Sequence, residues 1–463
     1  MFDSSVYINR RKALREKVSS GLILILGNNE APANFPDNTY KFRQDSTFLY
    51  FFGHNHPGYA GVIDVESGED MFFGDDVTMD DIIWMGPQPS VKDLAARAGV
   101  SKSAPFARLK EVVGKAISQR RKIHFLPPYR HDNMMLLEDL TGIRASMTRQ
   151  HASVELIKAV VALRSVKEAC EIEEIDKACN IGYEMHTAAM RLCKPGVSEQ
   201  YIAGILDGIA SSYGNMVSFA TILTQNGQTL HNHDHSHILE AGRLMLTDAG
   251  AESVTNYCSD HTRTVPVGGK FTPRQLDVYN IVLACHGKAR EMARPGVTYK
   301  SVHLDVCKVL AQGLKDLGLM KGNVDEAVAA GAHALFLPHG LGHMMGIDVH
   351  DMEDLGQIYV GYDDEIRPSD QFGLASLRMG RRLQEGFVIT DEPGCYFIPA
   401  LIDKWRAEKT CADFLDFDAI DKYKDFGGIR LEDDLLITAN GSRFTGEKHI
   451  PITPEEVEKI MNE

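Results

Sequence analysis

Two stretches 100 residues apart follow the same pattern around a shared Pro-Gly-Val, and this repetition constrains the fold more than any other feature. Leu192-Cys-Lys-Pro-Gly-Val-Ser198 is echoed by Met292-Ala-Arg-Pro-Gly-Val-Thr298. Each follows one helical pattern and precedes another, and the closing Ser and Thr occupy matching N-cap positions. A weaker echo joins Leu246-Thr-Asp-Ala-Gly250 to Ile389-Thr-Asp-Glu-Pro-Gly394. Chance could produce either echo alone. Both together predict two halves related by a pseudo-twofold repeat, with a site at their interface.

Composition bounds the class of protein. A chain of 463 residues is too long for one ordinary core, so two domains are expected. Its net charge of −15 argues against nucleic acid or an anionic membrane as partner. The eight cysteines are scattered singly, which is typical of reduced thiols in the cytoplasm. The N-terminal residues do not resemble a signal peptide, and no segment reaches the roughly 20 apolar residues that span a bilayer.

The first third of the chain alternates strand and helix patterns, which predicts an α/β domain over residues 1–152. The predicted strands are 21–27, 47–52, 61–65, 70–73 and 122–126, and the predicted helices are 9–20, 91–98 and 107–119. Nothing in this part indicates catalysis. A second domain is expected over residues 153–463, opening with a nearly unbroken helical pattern from 154 to 192.

Three histidines are concentrated in the glycine-rich segment 336–351. They are His339, His343 and His350. A single histidine among apolar residues is more often a satisfied core side chain. Three imidazoles on such a backbone can bind a metal, shuttle protons or orient a substrate. The choice between these roles depends on whether acidic ligands are available elsewhere.

Four carboxylates lie at the ends or in the middle of apolar strand patterns: Asp248, Asp260, Glu392 and Glu432. The first two fall on neighbouring strands of a predicted β-hairpin. Glu432 shares one face of a strand with Arg430, because alternate residues of a strand point the same way. An acid at a strand end is usually a turn or cap residue, and Glu432 could simply pair with Arg430. A buried carboxylate needs such a partner or a metal.

Brought together, these four acids would repel one another by several kcal/mol each unless cations lay between them. Oxygen ligands with one imidazole, from His343, suit Mn²⁺ or a related divalent ion better than metals that prefer thiolates. The predicted cofactor is therefore a pair of divalent ions.

Six motifs, in this order along the chain, resemble the pita-bread metallopeptidases, in particular aminopeptidase P and prolidase, which act on Xaa-Pro bonds. They are Asp248-Ala-Gly, Ser259-Asp260-His-Thr-Arg-Thr, Pro338-His339-Gly-Leu-Gly-His343, Asp348-Val-His350-Asp, Asp391-Glu392-Pro-Gly-Cys-Tyr and Gly428-Ile-Arg430-Leu-Glu432-Asp. Residues 40–50 resemble the non-catalytic N-terminal domain of aminopeptidase P. The resemblance implies an α/β N-terminal domain and an α+β pita-bread (creatinase/aminopeptidase-like) catalytic domain with an internal pseudo-twofold repeat.

The same resemblance assigns roles to individual residues. It implies that the metal ligands are Asp248, Asp260, His343, Glu392 and Glu432, with Asp260 and Glu432 bridging two ions. Glu392 also becomes the catalytic proton acceptor, and the two catalytic histidines would be His339 and His350. Substrate binding would involve His231, Arg378 and Arg430. Arg378 matches the arginine that holds a dipeptide carboxylate in prolidase, a job that suits a guanidinium fork.

The expected function is a dinuclear-metal hydrolase that removes the N-terminal residue from peptides with proline second. An Xaa-Pro dipeptidase is the alternative, because Arg378 points to prolidase while the N-terminal segment points to aminopeptidase P. Rival readings are a non-catalytic peptide- or protein-binding domain and a metal-free amidinohydrolase of the same fold. The filled ligand set argues against both. We also expect a homodimer or higher homo-oligomer, and a lid or interface role for residues 353–376.

Two departures from the family pattern stand out. The interval from Asp248 to Asp260 is one residue longer than is usual, which questions the geometry of the hairpin. Asp391 stands where an apolar residue commonly precedes the glutamate, so it predicts an extra charge close to the site.

Overall fold

The computed structural model describes all 463 residues, which form two compact units. The first comprises Met1–Arg164 with Asp354–Tyr359, and the second comprises Ser165–Glu353 with Val360–Glu463. The break therefore falls later than the predicted boundary between 152 and 153. The helix after residue 153 belongs to the first unit, where Glu155 accepts a 2.7 Å hydrogen bond from the backbone N–H of Ser19.

The first unit is built on a mixed five-stranded sheet in the order β6-β5-β4-β1-β7, with β2 and β3 forming a separate hairpin. Its strands are β1 (Leu22–Leu26), β2 (Pro32–Phe35), β3 (Asn38–Thr39), β4 (Ala60–Asp64), β5 (Asp70–Phe73), β6 (Lys102–Ala104) and β7 (Ile123–His124). Its helices are α1 (Ser4–Arg15), α2 (Ser46–Phe52), α3 (Met79–Met85), α4 (Val91–Arg97), α5 (Leu109–Ser118), α6 (His131–Thr141) and α7 (Val154–Ser165). The α/β fold predicted for the N-terminal part is confirmed.

The strand predicted over residues 47–52 is wrong, because this aromatic stretch forms helix α2. Asp45 caps the helix by accepting a hydrogen bond from the backbone of Phe48, and Gly53 ends it in the left-handed region at φ 75°. Phe48 and Phe52, one turn apart, stack with ring centroids 5.1 Å apart. Cap and stop signals outweigh the strand preference of aromatic residues here.

A buried histidine in this unit predicts how stability depends on pH. His54 is 5% exposed, and its Nε2 lies 2.7 Å from the carbonyl oxygen of Leu94. Burial lowers the pKa of His54 to about 4. Between about pH 6.5 and pH 4, the histidine is therefore protonated in the unfolded chain but neutral in the folded state. The free energy of unfolding falls over this range as pH decreases, by up to about 3 kcal/mol.

The matched variant His54→Gln keeps an N–H donor but does not titrate. Thermal unfolding between pH 7 and pH 4 should show a smaller loss of stability in this variant than in the wild type. Parallel curves for the two proteins would contradict the assignment.

The second unit contains three small antiparallel sheets, in the orders β10-β9-β8, β11-β14-β15 and β12-β13. Its strands are β8 (Ile222–Thr224), β9 (Leu244–Ala249), β10 (His261–Pro266), β11 (Val388–Asp391), β12 (Gly394–Tyr396), β13 (Gly428–Arg430), β14 (Asp433–Thr438) and β15 (Gly441–Phe444). The helices of residues 165–463 are α8 (Ala169–Leu192), α9 (Glu199–Ser212), α10 (Pro273–Met292), α11 (Tyr299–Asp316), α12 (Val324–Ala329), α13 (Gln357–Val360), α14 (Pro399–Glu408), α15 (Phe417–Ile420) and α16 (Pro454–Met461).

The helix predicted to run from 154 to 192 is in fact two helices, α7 and α8. The chain leaves the helical path after Ser165, and a new N-terminus forms at Glu168, whose backbone N–H donates to the Glu171 carboxylate at 2.9 Å. This reciprocal capping starts a second helix at a point where the hydrophobic pattern alone predicts one continuous helix.

The repeated Pro-Gly stretches have the same structure in both halves of the second unit. Each joins two paired helices, α8 to α9 and α10 to α11. Leu239 exchanges two backbone hydrogen bonds with residues 196–197, and Leu383 exchanges two with residues 296–297. Thr298 caps α11 with its side chain, whereas Ser198 makes no side-chain cap bond. The predicted internal repeat is confirmed at the level of single hydrogen bonds.

None of the helices combines the length and apolar character that a membrane crossing requires. All eight cysteines are free thiols.

Candidate metal centre

All of the predicted site residues lie in the second unit. Asp248 is on β9, Asp260 directly precedes β10, Glu392 directly follows β11, and Glu432 lies between β13 and β14. Asp248 is paired in register with Thr262, whose backbone also bridges Glu432 through bonds of 3.0 and 3.3 Å. The four carboxylates therefore converge where the first half of the unit is hydrogen-bonded to the second.

The long interval between Asp248 and Asp260 does not disturb the predicted hairpin. Strands β9 and β10 pair over six residues without a shift in register. The turn between them contains Asn256 in the left-handed region, at φ 69°.

His343 reaches the carboxylates from the glycine-rich segment. Its Nε2 lies 3.3 Å from Oδ2 of Asp260 and 3.8 Å from Oε1 of Glu392. Its Nδ1 lies 3.0 Å from the carbonyl oxygen of Met344, which can only accept, so Nδ1 carries the proton and the Nε2 lone pair faces the acids. A Cβ on Gly342 would lie 2.1 Å from the Thr390 carbonyl oxygen, which explains why only glycine fits beside β11.

The acids are packed too closely to carry full charge without cations. Ligand atoms of Asp260, His343 and Glu432 lie within 4.8 Å of one another. Burial, reinforced by the neighbouring carboxylates, raises the pKa of both Asp260 and Glu432 well above the usual range. Burial also raises the pKa of Glu392 to about 7.

The residues fit divalent metal ions. Oδ1 of Asp248 and Oδ1 of Asp260 are buried without a hydrogen-bond partner, although buried polar atoms are normally paired. Four carboxylates and one neutral imidazole form the oxygen-rich donor set that Mn²⁺ and related ions prefer. Cations in this position would satisfy the unpaired oxygens and offset the repulsion.

A hydrogen-bond chain runs from Arg430 through Tyr396 to His339. Arg430 donates to Asp248 at 2.6 Å and to the Tyr396 hydroxyl at 2.9 Å. His339 Nδ1 donates to the carbonyl of Gly340 at 2.7 Å, so its Nε2 accepts from the Tyr396 hydroxyl at 2.8 Å. Burial lowers the pKa of His339 to about 3, which keeps the ring neutral. Tyr396 has no role in the sequence-based prediction, although it closes the motif that begins at Asp391.

A second residue absent from the prediction is Glu353. Its carboxylate contacts both Nδ1 of His350 and Nε of Arg378, the latter at 3.2 Å. The His350 ring lies against that of His343, with centroids 4.2 Å apart. His231 is exposed and makes none of these contacts.

Asp391, the other departure from the family pattern, is wholly buried beside α10. Its Oδ2 lies 3.8 Å from Nε2 of His286. Burial raises the pKa of Asp391 to about 7.

Comparison with known proteins supports this picture. Residues 173–439 match the family model described as Metallopeptidase family M24, and residues 7–124 match that of the aminopeptidase P N-terminal domain. Xaa-Pro dipeptidase of Homo sapiens is 31% identical over 96% of this chain and 89% of its own length. Xaa-Pro aminopeptidase of Escherichia coli (strain K12) is 29% identical, over 98% of this chain and 96% of its own.

A solved structure of zinc-substituted E. coli aminopeptidase P in complex with product superposes with a TM-score of 0.82. It is 28% identical in sequence, and the match covers 100% of this chain and 98% of that one. The two-domain pita-bread fold and the acid-rich centre define a metal-dependent peptidase. The chain belongs to metallopeptidase family M24, in the group that contains aminopeptidase P and prolidase. Divalent metal ions are the cofactors of such an enzyme.

Proposed function

We propose that the protein is an Xaa-Pro aminopeptidase, which removes the N-terminal residue from peptides with proline second. The observation that carries this proposal is the convergence of four carboxylates and His343 in a chain that aligns with Xaa-Pro peptidases over nearly its whole length. An Xaa-Pro dipeptidase is the second candidate.

Two divalent ions would be held by Asp248, Asp260, His343, Glu392 and Glu432. Mn²⁺ is the proposed metal, and zinc or cobalt are alternatives, since a zinc-substituted relative has been crystallised with product. Bound ions of this kind polarise a carbonyl and lower the pKa of a bound water to about 7.

The residues around the ligands would handle the protons. Glu392, a carboxylate at the edge of the proposed metal centre, would accept a proton from the attacking water and pass it to the proline nitrogen. That nitrogen leaves as a secondary amine and therefore needs a proton. His350 would donate to the developing oxyanion on the carbonyl before proline.

The remaining residues would position the substrate. His339, held neutral and in one tautomer by Gly340 and Tyr396, would contact the peptide with the face or edge of its ring. Arg430 would hold Asp248 in place, and His231 would line the cleft. Arg378 is the proposed anchor for a substrate carboxylate.

The Glu353–Arg378 pair favours aminopeptidase over dipeptidase activity. In prolidase-like binding, Arg378 must contact the C-terminal carboxylate of a dipeptide, but here the Glu353 carboxylate already accepts from its Nε. A dipeptide would have to compete with Glu353, whereas a longer peptide places no carboxylate at this distance from the cleaved bond.

Glu353→Gln should therefore raise kcat/KM for an Xaa-Pro dipeptide relative to that for the matching Xaa-Pro-Yaa tripeptide, by about two- to fivefold for about 0.5–1 kcal/mol of released competition. Glu353 also contacts His350, but an effect that acts through His350 changes the cleavage of both substrates. The ratio of the two kcat/KM values therefore reports on Arg378. Arg378→Lys is the companion variant, and it should lower dipeptide cleavage more than tripeptide cleavage. An unchanged ratio in Glu353→Gln would contradict the role given to this pair.

The proposed function itself is tested with matched tripeptides that differ only at the second position, proline or alanine. The proline peptide should release its first residue, and the alanine peptide should be cleaved far more slowly. Equal rates would reject the Xaa-Pro assignment. A homo-oligomer, a cytoplasmic location and a lid or interface role for residues 353–376 stay predictions.

A further inference from the structure

Two histidines and a cysteine form another buried cluster in the second unit. None of the three belongs to the proposed ligands of the acid-rich centre. His303 and Cys307 lie one turn apart on α11, and His333 lies in the short turn 332–335. The three residues are 0%, 0% and 2% exposed. We refer to them as the His-Cys-His cluster.

The geometry of this cluster suits a single ion. One potential ligand atom from each residue lies within 4.8 Å of the other two. Nε2 of His303 and Sγ of Cys307 are 3.5 Å apart. A separation of this size allows an N and an S ligand to share one ion, given bonds of about 2.1 and 2.3 Å.

Three of the four ring nitrogens in the cluster lack a hydrogen-bond partner. Neither ring nitrogen of His333 has one, and Nδ1 of His303 has none. A buried polar atom without a partner is costly, and native proteins contain few of them. An ion would pair with one nitrogen of each ring, and at His333 it would satisfy a buried nitrogen that the polypeptide leaves without a partner. Burial lowers the pKa of His303 to about 3 and that of His333 to about 4, so both rings are neutral and offer lone pairs.

We propose that His303, Cys307 and His333 bind one divalent ion of the zinc class, at a site distinct from the acid-rich centre. Sulfur and imidazole ligands select such ions over Mn²⁺, which prefers oxygen. On binding, the Cys307 thiol would release its proton to solvent, because the coordinating form is the thiolate.

The position of the cluster gives the ion a structural role. His333 accepts two backbone hydrogen bonds of 3.0 Å from residues 336 and 337, at the start of the segment that carries His339 and His343. An ion bound by all three residues would attach this segment to α11, and so stabilise the part of the chain that delivers the histidines to the active centre.

The test uses the full-length enzyme loaded with Mn²⁺, to which Co²⁺ is added as the probe. Thiolate bound to Co²⁺ gives a charge-transfer absorption in the near ultraviolet, and the acid-rich centre contains no sulfur to produce one. The wild type should develop this band, and Cys307→Ser should not. Cys193→Ser, which alters another buried cysteine outside the cluster, should keep it.

His333→Gln provides a second, independent readout because it keeps the thiol. It should weaken Co²⁺ binding at this band by more than about tenfold. Circular dichroism and gel filtration of each variant show that it is folded. The proposal is overturned if the wild type develops no band, if the band persists in Cys307→Ser, or if His333→Gln binds Co²⁺ as tightly as the wild type.

Discussion

Glu392→Gln should lower kcat for an Xaa-Pro-Yaa tripeptide by about 10²–10⁴-fold, the usual contribution of a general acid–base residue. The amide has nearly the shape of the carboxylate, and its oxygen can still contact a cation. It cannot accept a proton from water or return one to the proline nitrogen. KM should change little, because the residues proposed to hold the peptide are untouched.

The control is Glu385→Gln, which neutralises an exposed glutamate nearby in sequence and should leave kcat unchanged. Metal content measured on both variants separates a loss of proton transfer from a loss of ions. A kcat within about threefold of wild type in Glu392→Gln would contradict the role of Glu392.

Asp260→Asn should abolish metal binding and activity, yet make the metal-free protein more stable at neutral pH. Asp260 is 5% exposed and crowded by Glu432, Asp248 and Glu392, and burial among these acids raises its pKa. Without cations its charge destabilises the fold, and the amide removes that charge. Saturating metal at about 100 times Kd should stabilise the wild type by about 2.7 kcal/mol, and the variant should lose this gain.

Asp433→Asn is the matched control, since it changes another buried aspartate in the opposite electrostatic setting. Asp433 accepts hydrogen bonds of 2.8 and 3.0 Å from Nη2 of Arg263. Despite its burial, the Arg263 guanidinium and His286 hold the pKa of Asp433 well below its usual range. The substitution leaves the buried Arg263 guanidinium with backbone carbonyl acceptors but no opposite charge, and it should destabilise the metal-free protein by about 3–5 kcal/mol.

Thermal unfolding of both chelated variants beside the wild type measures these effects. The midpoint should rise in Asp260→Asn and fall in Asp433→Asn. A fall in both would show that Asp260 is compensated by protein contacts alone and does not need a metal.

The features that the sequence predicts best are those carried by local patterns. The repeated Pro-Gly stretches predict the two helix pairs, because a helix stop followed by an N-cap is encoded within seven residues. The hairpin carrying Asp248 and Asp260 is readable from two apolar runs and a turn, and its pairing in the structure agrees. The six motifs, taken in their order along the chain, identify the four acids and His343 as candidate ligands. The fold then places these residues close together.

The features that the sequence does not predict depend on residues far apart in the chain or on competing local signals. Tyr396 contacts Arg430 and His339 across 34 and 57 residues, and Glu353 contacts Arg378 across 25. No spacing rule covers such contacts. In α2, Asp45 and Gly53 cap a run that strand propensity would assign to a sheet, so two short-range preferences conflict and the caps prevail.

Whether hydrolysis depends on ions held by the five proposed ligands is tested most directly by titrating the chelated full-length protein with Mn²⁺. Cleavage of an Xaa-Pro-Yaa tripeptide and bound metal are followed in the same samples. Turnover should be absent after chelation and should return in proportion to bound Mn²⁺, reaching its plateau at about two ions per chain. Near-normal turnover in the chelated protein, with no metal detected, would contradict a metal-dependent mechanism.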